Sequence, residues 1–338
     1  MTKNHNRVSR LAHRLCEELY ATQEVATETS WYEALETLRA KMDIQIMAHN
    51  GVVETSSKRK RLIRKHEIML DYLEKKYGVF YRNYDYDASL SLRNPNLEGR
   101  VWSCWWQGIE NAPDIVKCCV ESIQRNAGKH KVTVITEKNL SQYVQFPNWV
   151  NEKKRKGIMS LTHYSDLLRM SLLAQYGGLW LDATFLCTEK IEDALFSMPL
   201  FTIKRPDYLH CSVAQGYYAN YSLGCNIDNR WIFRTLRDFY LHYWSQNDYL
   251  VDYLLTDYLI ALMQKHNKRI ADAFAEVEPN NPRCDDLCKL LGEPYEGKKW
   301  TELSENTGLF KLTWKQSFPI EKKGKQTYYG KILQEYYP

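Results

Sequence analysis

Asp166 and Arg169 stand three residues apart in the stretch YSDLLRMSLLAQYGGLWLDATFLCT, residues 164–188. On a helix that spacing puts both side chains on one face. Each then holds the other in place while offering hydrogen-bonding groups to a polar ligand. Taken alone, the pair reads as a surface ion pair. The residues that follow change the reading. Gly177 and Gly178 let the backbone turn sharply and approach another group closely. An apolar run then ends on Asp182. In an extended strand side chains alternate, so Trp180, Asp182 and Thr184 share one face, and Leu179, Leu181 and Ala183 the other. A carboxylate at the end of a buried strand needs hydrogen bonds, a cation or a metal. Helix, glycine pair, strand and acidic end together are a specific signal, although each part alone is weak.

The elements that must position these groups alternate from residue 100 onward. RVWSCWW (100–106) reads as a strand, and APDIVKCCVESIQRN (112–126) as a helix opened by Pro113 and Asp114. KVTVITE (131–137) is a β-branched strand, and KNLSQYV (138–144) a short helix. A long helix covers 160–176, with Thr162 as its candidate cap and Gly177-Gly178 as its end. LWLDATFLCT (179–188) is one further strand. A short helix at 191–196, a strand at 199–204 and helices at 230–246 and 248–266 follow. This order predicts an α/β domain with a largely parallel sheet, whose ligand crevice lies at the carboxyl ends of the strands.

Residues 1–98 read as a helical region. Val8, Leu11, Leu15 and Leu19 recur at helical spacing. Ser30 and Glu33 form a capping box for a helix through about residue 47, ended at HNG with Gly51 in a left-handed cap. A further helix spans 56–78 and stops at Gly78. Its basic run, Lys58 to Lys65, suits anionic lipid headgroups, although a solvated helix face is the plainer reading. The polar stretch 81–99 marks a boundary, giving a helical appendage, 1–98, and an α/β domain, 99–338.

Composition bounds the function. The net charge of +5 over 338 residues does not mark a nucleic-acid binder. Nine Cys, an odd number without zinc spacing, are expected to be reduced thiols of a cytoplasmic protein. The N-terminus has no apolar signal region and no run approaches a membrane span. The 24 Tyr and 10 Trp suit both sugar platforms and ordinary core packing. A dinucleotide-dependent oxidoreductase is set aside, because no GxGxxG follows the first strand.

YSDLLRMSLLAQYGGLWLDAT resembles the core of the capsular polysaccharide synthesis glycosyltransferases, relatives of the DXD-containing sugar transferases. VWSCWWQGIENAPDIVKCCVESIQRN resembles that family's first strand and helix, YLVDYLLTDYLIAL a downstream helix, and GLFKLTWK its C-terminal Lys-Leu-Thr element. The resemblance covers roughly 99–316. It implies a GT-A fold, Rossmann-like with a mostly parallel sheet flanked by helices, and transfer of a hexose from a nucleotide-sugar donor, with retention. It implies that Trp106, or Trp105 one residue earlier, stacks on the donor base. Asp166 and Arg169 would hold sugar hydroxyls, and Asp182 would be the first Asp of the DXD element. Gly178 and Asn226 would line the donor site. Asp257, more than Asp252, would approach the reacting centre. His163 is not expected to be catalytic.

One departure matters. The second DXD Asp, which ordinarily binds Mn²⁺ or Mg²⁺, is Thr184 here, and a hydroxyl is a poorer ligand for a hard dication. The capsule branch tolerates Asp-Ala-Thr, so the fold expectation stands while a metal on Asp182 and Thr184 is in question. Lys311 and Lys315 are then candidates to hold the diphosphate. The expected acceptor is a lipid-linked glycan at the inner face of a bacterial membrane, which the N-terminal helices would touch peripherally. The missing Asp also motivates an alternative: a noncatalytic nucleotide- or carbohydrate-binding subunit.

Overall fold

The computed structural model describes residues 2–50, 55–206 and 211–338, with side chains described from residue 15 in the first segment and up to residue 47. Gly51, the expected left-handed cap, lies outside the described residues. Three long helices open the chain: α1 (Thr2–Glu28), α2 (Trp31–Asn50) and α3 (Ser56–Arg82). The expected cap is present at α2, where the Glu33 N–H donates to Ser30 Oγ at 3.2 Å. Gly78 does not stop α3, which runs four residues past it. A Cβ there would meet the side chains of Glu74 and Arg82, and the neighbouring turns hold the helix through the glycine.

The α/β region follows with β1 (Val101–Cys104), α4 (Asp114–Asn126), β2 (Val132–Ile135), α5 (Asn148–Arg155), α6 (Leu161–Tyr176), β3 (Gly178–Leu181) and β4 (Phe185–Cys187). Next come β5 (Phe201–Thr202), β6 (Ser222–Cys225), α7 (Trp231–Gln246), α8 (Leu255–His266), α9 (Lys268–Ala275), α10 (Gly297–Ser304) and β7 (Leu309–Lys311). A small hairpin, β8 (Glu321–Lys322) and β9 (Lys325–Gln326), and α11 (Tyr328–Tyr336) end it. The expected short helices at 138–144 and 191–196 are 3-10 turns.

The central sheet has the order β2-β1-β3-β6-β5. β1 pairs in parallel with β2 and β3, while β6 is antiparallel to both β3 and β5, so four of the five strands run one way. The strand expected over 179–188 is two strands in two sheets: β3 belongs to the central sheet and β4 pairs with β7. The break falls at Asp182–Thr184, where the Phe185 N–H turns back to the Asp182 carbonyl at 2.9 Å. α6 is capped by Ser160 and not Thr162, through the His163 N–H. The helix expected from 248 begins at Leu255, which leaves Asp252 in the preceding loop, where its Oδ1 accepts the Leu254 N–H.

The largest hydrophobic cluster joins α3, α6, α7 and α8 and takes Ala21, Val25 and Ala34 from α1 and α2. Three cations of the basic run of α3 are held in ion pairs, and of these only Lys65 is fully buried. Arg61 pairs with Asp43 at 2.6 Å, Arg64 with Glu33 at 2.8 Å, and Lys65 with Asp252 at 2.8 Å, the last pair fully buried.

Candidate functional site

β1 and β3 run side by side with Trp102 opposite Trp180, so their carboxyl ends emerge together. Asp182 follows β3. Asn220 precedes β6, whose first residue, Ser222, lies opposite Leu181. α6 adds Asp166 and Arg169 from one face, and α8 adds Thr256 and Asp257. β7 brings Lys311 opposite Phe185.

Arg169 is the hub. Its Nη2 lies 3.1 Å from Asp182 Oδ1 and its Nη1 3.3 Å from Asp166 Oδ1. Nη1 also donates to the carbonyl and the side-chain oxygen of Asn220. Asn220 Nδ2 in turn donates to Asp257 Oδ2 at 3.1 Å, and Thr256 Oγ1 to Asp166 Oδ2 at 3.0 Å. Asp182 is doubly compensated: Oδ1 also accepts from Trp180 Nε1 at 2.9 Å, and Oδ2 from Lys311 Nζ at 2.6 Å. Lys311 Nζ donates to Thr184 Oγ1 as well, at 2.7 Å.

These contacts set the charges. Burial pushes the Asp166 carboxyl up, and Arg169 only partly offsets it. Burial acts the same way on Asp182, but Lys311 and Arg169 outweigh it and hold that carboxyl below its ordinary range. Asp257 is pushed up to about 7 by burial, which the Asn220 hydrogen bond only partly opposes. Arg169 is buried, with 5% of its side chain exposed, whereas Asp182 keeps 27% and Lys311 22%. The cluster thus has a buried, ion-paired floor and an accessible edge at Asp182 and Lys311.

Trp106 approaches from the turn after β1. It is half-buried, its Nε1 donates to Ser165 Oγ at 2.8 Å, and its ring lies 5.3 Å from Tyr164. Ser165 adjoins Asp166 on α6. Cys104, at the end of β1, has its thiol pushed up by burial and by the nearby Asp182. Trp105 turns the other way, edge-on to Trp314 at 5.4 Å, within the cluster around α4 and α11. Lys315 follows Trp314 on an exposed loop.

Two expected donor-site residues stand apart. Gly178 starts β3 and pairs with Cys225, at the opposite end of the strand from Asp182. Its φ of +90° and the Arg100 carbonyl, 2.3 Å from where a Cβ would sit, explain the glycine by packing. Asn226 lies at that same far end and folds its own loop, accepting the N–H groups of Asp228 and Asn229. Asp252 belongs to the buried pair with Lys65. His163 is buried against Tyr253 and Trp244, its Nδ1 shared with Ser160 Oγ at 2.7 Å. Sequence reasoning missed Asn220. Its one signal was its place just before the short apolar run that becomes β6.

A resident dication does not fit this donor set. Lys311 stands between Asp182 and Thr184, the two residues that would have to ligate it, and Asp182 Oδ1 is taken by Arg169 and Trp180. Among the described residues no cluster of three His, Cys, Asp or Glu has a metal-binding arrangement. A cavity of about 860 Å³ lies elsewhere, lined in part by Cys187, Lys204, Arg205, Arg283 and Leu309, and contains none of the clustered residues.

The strand ends of this α/β fold thus gather carboxylates around a buried guanidinium, with an ammonium and an indole at the edge. The chain belongs to the capsular polysaccharide synthesis protein family, whose model matches residues 49–332. It is similar to the O-glycosyltransferase braB of Annulohypoxylon truncatum, 32% identical over a 124-residue alignment that covers 31% of this chain and 30% of that protein. It is also similar to the O-glycosyltransferase PaGT of Phomopsis amygdali, 27% identical over a 114-residue alignment that covers 31% of this chain and 28% of that protein. The chain therefore matches less than a third of the length of these two fungal relatives. Among solved structures, PaToxG Glycosyltransferase aligns with 64% of this chain and 81% of its own, at 12% identity and a TM-score of 0.35.

Proposed function

We propose that the protein is a glycosyltransferase of GT-A type that moves a hexose, with retention, from a nucleotide-sugar donor to a hydroxyl of a growing, lipid-linked glycan. The observation that carries this reading is the convergence of Asp182, Arg169 and Lys311 at the carboxyl ends of β1 and β3, beside Trp106. Membership of the family supports it, as does the O-glycosyltransferase name of both curated relatives. Because those relatives are fungal, no bacterial polymer is specified as the acceptor.

In this mechanism Trp106 stacks on the nucleobase, an interaction of about 1–3 kcal/mol that tolerates different bases. Asp182, Asp166 and Arg169 hold ribose and sugar hydroxyls. Lys311, with Lys315 from the adjoining loop, faces the diphosphate. The bond between the anomeric carbon and the phosphate oxygen breaks through an oxocarbenium-like state, and the acceptor oxygen bonds the same face of that carbon. The departing diphosphate keeps the electron pair and takes up the acceptor's proton. The two lysines stabilise the charge that develops on it. Asp257, on the acceptor side, orients the incoming hydroxyl.

A thermal-shift screen of UDP- and GDP-sugars, each with and without Mn²⁺, tests this. A ligand at 100 times its dissociation constant adds about 2.7 kcal/mol of stability. Asp182→Asn is expected to abolish the shift and donor hydrolysis together. Absence of both from the unmodified protein, with every donor, overturns the proposal. The engagement of both Asp182 oxygens by the protein's own cations favours a second reading, a noncatalytic binding subunit. Donor binding without turnover, and glycan output indifferent to Asp182→Asn, would select it.

A further inference from the structure

α1 and α2 pack with small residues inward and, Met47 apart, turn most of their large apolar residues outward. Ala21, Thr22 and Val25 of α1 and Ala34, Thr37 and Ala40 of α2 are buried, yet Leu15, Leu19, Trp31, Tyr32, Leu35, Met42 and Ile46 are exposed, between 48% and 72%. A helix on an ordinary protein surface buries its large apolar side chains and leaves polar ones in water. At 100° per residue, Trp31, Leu35, Met42 and Ile46 fall within a stripe about 60° wide along α2. Lys41 Nζ meets Glu18 Oε2 at 2.7 Å, and in an antiparallel hairpin of that register Leu15 and Leu19 lie level with residues 44 and 40, on either side of Met42. Of the seventeen large apolar side chains exposed among the described residues, these seven fall on α1 and α2, and an eighth there, Tyr20, turns edge-on to Tyr249 instead.

We propose that this outer face of the α1–α2 hairpin seats the protein on an anionic lipid bilayer. Three features choose that occupant. Trp31 and Tyr32 stand side by side at the start of α2, and such rings settle at the headgroup level. The first sixteen residues carry Lys3, Arg7, Arg10 and Arg14 and no Asp or Glu, a charge complementary to anionic headgroups. No described helix is long and apolar enough to cross a membrane, so the contact is lateral. These cations add to the run Lys58 to Lys65 that the sequence pointed to, of which Arg61, Arg64 and Lys65 are engaged in ion pairs. The proposal does not depend on the transferase reading, and its test uses no donor or acceptor.

The full chain is spun with vesicles of phosphatidylcholine alone and with vesicles carrying about 30% phosphatidylglycerol, enough to create a negative surface potential. Binding at least tenfold tighter to the anionic vesicles is expected. The double variant Leu35→Glu/Met42→Glu and the triple variant Arg7→Gln/Arg10→Gln/Arg14→Gln should each lose at least tenfold of it. Because Leu35 and Met42 are exposed, the double variant should melt within a few degrees of the unmodified chain. A second double variant at exposed sites elsewhere, Val79→Glu/Ile320→Glu, should keep its vesicle binding. No binding to anionic vesicles overturns the proposal, as does binding that survives Leu35→Glu/Met42→Glu. Sedimentation showing a concentration-dependent dimer that this variant dissolves, without vesicle binding, overturns it in favour of a second copy.

Discussion

At the scale of single residues, the ammonium of Lys311 stands where a metal-dependent relative would be expected to place a dication. It reaches Asp182 Oδ2 and Thr184 Oγ1 at 2.6 and 2.7 Å. Donor binding is therefore expected to be indifferent to EDTA. Lys311→Ala should weaken binding of the nucleoside diphosphate at least tenfold by calorimetry, and Lys311→Asp should make what remains dependent on Mn²⁺. Asp257 gives a second prediction. A carboxyl raised from its ordinary 3.8 to about 7 binds its proton more tightly in the folded state, so it subtracts from stability as pH rises between those values. Asp257→Asn should flatten that part of the pH–stability profile, measured by urea unfolding. Asp166, Arg169 and Asp182 were legible in the sequence because their spacing is local and their elements regular. Asn220 was not, because its partners on α6 and α8 are remote in sequence and its own segment has no periodicity.

At the scale of elements, the Lys65–Asp252 pair fastens α3 to the loop that enters α8. Burial alone would raise the Asp252 carboxyl, but Lys65 and Lys41 outweigh it and hold it below the ordinary range. Its contribution to stability is present at neutral pH and is lost as pH falls through that lowered value. Lys65→Met leaves Asp252 buried without its closest cation, and is expected to cost about 3–5 kcal/mol in denaturant unfolding. Lys65→Met/Asp252→Leu should recover much of that loss. The same pair explains why α8 was read seven residues too long. The pattern DYLVDYLL is helical in its apolar spacing, but the first Asp of the pair of acids at 252 and 257 is drawn to α3 and caps the loop instead. Gly178 is a simpler case. Gly178→Ala forces a methyl onto the Arg100 carbonyl at a positive φ and is expected to cost about 1–3 kcal/mol or more, read from the melting temperature.

At the scale of the molecule, the alternating pattern from residue 100 gave the α/β class and the order of β1, α4, β2, α6 and β3 correctly. It did not reveal that the run 179–188 changes sheets at Asp182, because nothing in the period of side chains marks a strand that breaks while staying buried. It also missed β6, four residues that include Gly224, although β6 lies between β3 and β5 and brings Asn220 to the cluster. The helices before the polar stretch 81–99 share a hydrophobic cluster with α6, α7 and α8, and the family match begins at residue 49, within that helical region.

The ammonium beside Asp182 comes from a strand 129 residues further along the chain. During synthesis, then, the helix, the glycine pair and the acidic turn leave the ribosome long before their counter-charge does. A nascent chain halted before residue 311 would carry Asp182 with Arg169 alone. The charge balance of that edge is completed only when β7 reaches it.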